Sequence, residues 1–119
     1  MIRRPGPPGV WDTGAERSLP NLPVMATLHI EHPITDFGTW SAAFARFGGA
    51  RADGGVLAAR VYRPVDDDRY VLIDLDFGTV DQARQFREFL QNRVWSDSDA
   101  APGLAGVPVT RILQGEPAA

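Results

Sequence analysis

With 119 residues, 44% of them hydrophobic and 23% charged, the chain has the size and composition of one globular domain, since single domains commonly run to about 100 to 150 residues. A net charge of −3 lacks the clustered positive charge that nucleic acid or an anionic membrane surface calls for, so neither is an expected partner. Cysteine is absent and all 12 basic residues are arginine, which excludes disulfides, thiolate nucleophiles, iron–sulfur clusters and cysteine zinc sites, and also lysine Schiff-base chemistry and a P-loop lysine.

Residues 1–24 hold five of the ten prolines and show no run at period 2 or 3.6, and they read as a flexible arm. Arg3-Arg4 is not followed by the apolar stretch of about 7 to 15 residues that an export signal has, and no segment approaches the ~20 apolar residues of a membrane span, so a cytoplasmic protein is expected. Met25 is an alternative start, and Trp11 is the arm residue best suited to packing. From Met25 the chain alternates: Ala26, Leu28 and Ile30 are apolar, Thr27, His29 and Glu31 polar, which is the period of a half-buried strand ended by Pro33. Asp36 is placed to cap a helix in which Phe37, Trp40, Ala43, Phe44 and Phe47 recur at spacings of three and four, and Gly48-Gly49 and Gly54-Gly55 mark its fraying end. A strand over Val56 to Arg63, a turn at Pro64 to Asp68 and a strand over Tyr70 to Phe77 make a hairpin. Thr79 with Gln82 three residues later has the form of a capping box and opens a helix carrying Val80, Ala83, Phe86, Phe89 and Leu90, which stops near Trp95. Ser96 to Gly106 is small and polar, and Pro108 to Leu113 is a last short strand.

The order βαββαβ predicts a ferredoxin-like α+β sandwich, a four-stranded antiparallel sheet with two helices on one face, over residues 25–115 with a tail at 116–119. Parity sorts the side chains. Leu28, Ile30, Val71, Ile73, Leu75 and Phe77 go to the helices, with Leu57, Ala59 and Val61 as the better helix-side set of their strand. His29, Glu31, Arg60, Tyr62, Tyr70, Leu72 and Asp74 go to the opposite face. That face is semi-polar with apolar residues embedded in it, which suits a second copy of the chain better than water.

The helix opening Thr35-Asp36-Phe37-Gly38-Thr39-Trp40, the strand end Val61-Tyr62-Arg63, and the run Val71-Leu72-Ile73-Asp74-Leu75-Asp76-Phe77 leading into Val80-Asp81-Gln82-Ala83-Arg84-Gln85-Phe86 resemble the dimeric α/β barrel superfamily. The resemblance covers roughly Met25 to Gln114 and is greatest to the antibiotic-biosynthesis-monooxygenase and polyketide-cyclase branches. It implies a homodimer joined through the sheets and a ligand between sheet and helices. It also implies oxygenase or cyclase chemistry on an aromatic, polyketide-like molecule without a cofactor. Several such oxygenases use an asparagine and a tryptophan close together at the second helix, and Asn92 and Trp95 stand in that region. Their spacing departs from the pattern by a residue and the histidine of the haem-degrading branch is absent, so haem cleavage is not expected. The bland reading makes Trp95 a hydrophobic cover and Asn92 a helix-end residue.

Trp40, Phe44 and Phe86 either wall a cavity on which a planar substrate stacks or simply fill the core. His32 shares the parity of Leu28 and Ile30 and is the imidazole nearest such a cavity, a candidate general base, with Tyr62 as the fallback acid–base group. His29 reads as a proton carrier partnered by Asp74 or Glu31, or as part of a dimer-interface network of His29, Glu31, Arg60, Tyr70, Leu72 and Asp74. Because His29 and His32 face opposite sides of one strand, no metal site is expected. Asp66-Asp67-Asp68 lacks the glycine and glutamate of a calcium loop. The alternative to an enzyme is a non-catalytic dimeric ligand-binding or accessory protein of the same fold.

Overall fold

The computed structural model describes residues 24–116, so the proline-rich arm, Trp11 and the last residues of the tail lie outside it. In chain order the elements are β1 (Ala26–Pro33), α1 (Phe37–Arg46), α2 (Gly48–Asp53), β2 (Ala58–Tyr62), β3 (Tyr70–Phe77), α3 (Val80–Phe89), a π-helical turn (Leu90–Val94) and β4 (Val109–Leu113). The strands form one antiparallel sheet in the order β2-β3-β1-β4. This is the ferredoxin-like sandwich, with the helices on one face.

Alternation does what the sequence pattern demands. The register pairs Leu28 with Leu75, Ile30 with Ile73 and His32 with Val71, and all six of these side chains are buried under the helices. Both long helices start on a side-chain cap that occupies an otherwise orphan N–H. The Asp36 carboxylate accepts from the Thr39 N–H at 2.8 Å, and the Thr79 hydroxyl accepts from the Gln82 N–H at 3.0 Å. Trp40 and Ala43 of α1, and Ala83 and Phe86 of α3, close the core over the sheet.

Three features differ from expectation. The glycines after α1 do not end in a frayed coil; Gly48–Asp53 forms the short helix α2. Its Arg51 donates to the Phe44 carbonyl at 2.6 Å, which satisfies one of the acceptors a helix end leaves open, and its guanidinium carbon lies 3.8 Å from the Phe44 ring centroid. The second glycine pair then makes the turn: Gly55 has φ +91°, and a Cβ on Gly54 would stand 2.6 Å from the Phe86 ring. On β2, Val61 packs against the core, whereas Leu57 and Ala59 are exposed. The strand is a sheet edge, so correct parity does not by itself bring burial. Finally, α3 runs directly into the π turn, where the Trp95 N–H reaches back five residues to the Leu90 carbonyl at 2.7 Å.

Candidate active site

Between the helices and the sheet lies a cavity of about 610 Å³, open mouth included. Trp40 and Phe44, stacked at 4.9 Å between centroids, form one wall, and Phe86, Leu90, Val94 and Trp95 another. Ile30, Ile73 and Leu75 make the floor. The loop through Ala100, Ala101, Gly103 and Leu104 completes the lining. This loop is tied down close to the end of β1: the Thr35 N–H donates to the Gly103 carbonyl at 3.0 Å, the Ala105 N–H to the Pro33 carbonyl at 3.2 Å, and Leu104 bridges Ile34. Gly103 presses so closely on Trp40 that a Cβ there would lie 2.7 Å from the tryptophan Cα.

Apart from the two indole N–H groups, the polar side chains in this lining are His32 and Arg51. His32 is 2% exposed and tilts against Trp40, ring centroids 6.3 Å apart. Its Nδ1 is 2.9 Å from the Pro33 carbonyl oxygen. A carbonyl can only accept, so Nδ1 carries the hydrogen and Nε2 keeps a lone pair. Burial pushes the His32 pKa down, outweighing the opposing pull of that hydrogen bond. Burial thus favours the neutral imidazole, with its hydrogen on Nδ1, in an apolar cavity, the state a general base requires.

Trp40, Phe44, Phe86, Trp95 and His32 therefore meet at one cavity, as parity and helical spacing expect. Asn92 and Tyr62 do not join them. Asn92 is exposed: the π turn spreads one helical turn over more residues, so side chains three apart diverge and Trp95 turns inward while Asn92 turns out. Tyr62 stands on the opposite side of the sheet and is 50% exposed. Sequence reasoning missed Arg51 and the Ala100–Leu104 wall. Arg51 follows Phe44 by seven residues, two helical turns, so reading through the glycines as helix would have put both on one face.

The opposite face of the sheet carries a separate polar system. Register aligns Arg60, Asp74, His29 and Arg111 across the strands, flanked by a row of Tyr62, Leu72, Glu31 and Val109. His29 is held on both sides, Nδ1 at 2.7 Å from Asp74 and Nε2 at 2.8 Å from Glu31. The Tyr70 hydroxyl donates to the other Glu31 oxygen at 2.8 Å. Bonding to Glu31 first, and to Asp74 as well, raises the His29 pKa against the effect of burial, while the bond to His29 lowers that of Glu31. Asp76 is gripped by Arg60 through both oxygens at 2.7 and 2.9 Å and accepts from Thr27 at 2.7 Å. Among the described residues no three histidine, aspartate or glutamate side chains are placed to share a metal ion, and no helix is long and apolar enough to cross a membrane.

No family profile matches the chain, and no curated protein matches it in sequence. The structure is more informative: the fold is that of the antibiotic-biosynthesis-monooxygenase-like proteins. It is similar to SnoaB, a cofactor-independent oxygenase from Streptomyces nogalater, with a TM-score of 0.61 over 81% of this chain and 97% of that one at 15% identity. It is also similar to a monooxygenase from the gene ActVA-Orf6 of Streptomyces coelicolor, solved with the ligand nanaomycin D, with a TM-score of 0.55 over 81% and 91% of the two chains at 17% identity. A dimeric ferredoxin-like protein from an uncultured marine organism matches at a TM-score of 0.55 over 82% of this chain and all of that one, at 6% identity.

Proposed function

We propose that this chain is a homodimeric enzyme acting on a planar aromatic, polyketide-like molecule as a cofactor-independent monooxygenase or cyclase. The observation that carries the reading is His32, a buried neutral imidazole with a free Nε2 on the wall of an aromatic cavity. The cavity walls are mainly aromatic and aliphatic side chains, a lining on which a planar ring system can stack. In the oxygenase version Nε2 takes the proton of a phenolic hydroxyl, and the electron-rich phenolate reacts with oxygen at ring carbon. One oxygen atom stays on the ring as the new carbonyl of a quinone, the other leaves as water, and the substrate supplies all the electrons. In a cyclase the same base forms an enolate that attacks a carbonyl. The names of SnoaB and of the ActVA-Orf6 product support the oxygenase version.

The second copy covers the polar face of the sheet in this reading. Tyr62, Val109 and Leu113, each about half exposed, share that face with the His29 network, and apolar groups interleaved with satisfied polar ones are the make-up of a subunit interface.

The test is oxygen uptake and quinone absorbance when purified protein meets hydroxylated anthrones in air, against the His32→Ala variant. Uptake that falls with His32→Ala supports the reading; uptake unchanged in the variant removes His32 as the base. One observation favours the non-catalytic alternative: Asn92 does not reach the cavity. Tight binding of the same anthrones with no turnover would establish that alternative.

A further inference from the structure

Arg51 is the one cationic side chain in the cavity lining. It is held there from two directions, by its bond to the Phe44 carbonyl and by layering on the Phe44 ring. A guanidinium has five N–H donors in a planar fork; the bond to Phe44 uses one of them, and among the described residues Arg51 forms no salt bridge. Among the described residues, the arginines that do form ion pairs, Arg60 and Arg84, form them on the outer face of the sheet and on a helix surface. A half-buried cation facing apolar walls is held at a desolvation cost, visible in the lowered pKa of Arg51, and that cost falls when an anion enters. Planar, pre-positioned guanidinium is also the group that recognises a carboxylate with two parallel hydrogen bonds.

We propose that Arg51 is the specificity-determining residue of the cavity and selects aromatic ligands bearing an acidic group ionised at neutral pH, a carboxylate or an acidic enol, anchored at the Phe44 end. The inference rests on the cavity being a ligand site and adds the charge of the ligand. His32 stays free for the hydroxyl, so one ligand is held by its anion and deprotonated elsewhere.

Two nearly isosteric probes isolate the charge: 2-naphthoate and 2-naphthamide, titrated calorimetrically into the full chain. The expected result is tighter binding of the naphthoate by about ten- to a hundredfold, the range for a hydrogen bond to a charged group. Arg51→Met, which keeps an aliphatic stem against Phe44, and Arg51→Gln should both abolish the preference, the naphthoate losing more affinity than the naphthamide. Arg51→Lys should restore part of it, the charge being kept and the fork lost. Equal affinities in the wild type overturn the assignment of Arg51 and leave the cavity reading standing. A preference that persists in a folded Arg51 variant also overturns it. If neither probe binds, the cavity reading itself falls and this inference with it.

Discussion

His29 and His32 stand three residues apart on one strand and are driven in opposite directions by their surroundings. His29, between Glu31 and Asp74 with Arg60 and Arg111 in the same row, has its pKa raised; buried His32 has its pKa lowered. Both start from an ordinary value of 6.5, so a two-dimensional NMR titration should show one imidazole titrating above it and the other below. Coincident curves would refute the assignment of faces. Because His29 is raised, the stability it contributes is full below 6.5 and fades as pH rises through its folded value. His32 works the other way: protonating it in the folded state is resisted, so its contribution is lost as pH falls below 6.5. His29→Asn should therefore lower the melting temperature most below 6.5, where His29 is charged beside ionised Glu31, and flatten the decline of the profile as pH rises. For activity, His32→Ala should lower turnover by about 10²- to 10⁴-fold, the usual share of a general base, with the particle mass in light scattering unchanged.

At the scale of elements, the alternation of β1 and β3 and the two capped helices were legible because each segment repeats its own period and carries its own start signal. Two elements were not. Helix α2 is tied by Arg51 to the end of α1, and glycine-rich local sequence gives no period from which the helix could be read. The π turn is a one-residue change in winding that no periodicity over five residues can reveal, and it is what separates Asn92 from Trp95. The Ala100–Leu104 wall was hidden for a related reason: small residues have no period, and their place is set by backbone bonds to Pro33 and Thr35. Gly103→Ala tests that placement. With Trp40 backbone and Cβ atoms all within 2.9 Å of the added methyl, the loop must shift, and a loss of about 1 to 3 kcal/mol is expected in chemical denaturation, together with weaker ligand binding. An unchanged midpoint would mean that the loop moves without resistance. Phe77→Ala, at a fully buried position, should cost about 3 to 5 kcal/mol and leave the loop in place.

For the molecule as a whole, the two faces of the sheet divide the work: one encloses the cavity and the other carries the polar rows. Light scattering at micromolar concentration should give twice the mass of the chain, and Tyr62→Glu with Leu113→Glu should halve it by placing unpaired charge in the interface. A single-chain mass for the wild type would dismiss the covered face. The strand order has a further bearing on how the protein is made. β1 is a central strand whose two neighbours are β3 and β4, and β4 is the last in sequence of the described strands. Until β4 docks, β1 has an open edge beside Leu28 and Ile30, and such an unpaired edge is where errors of self-association begin.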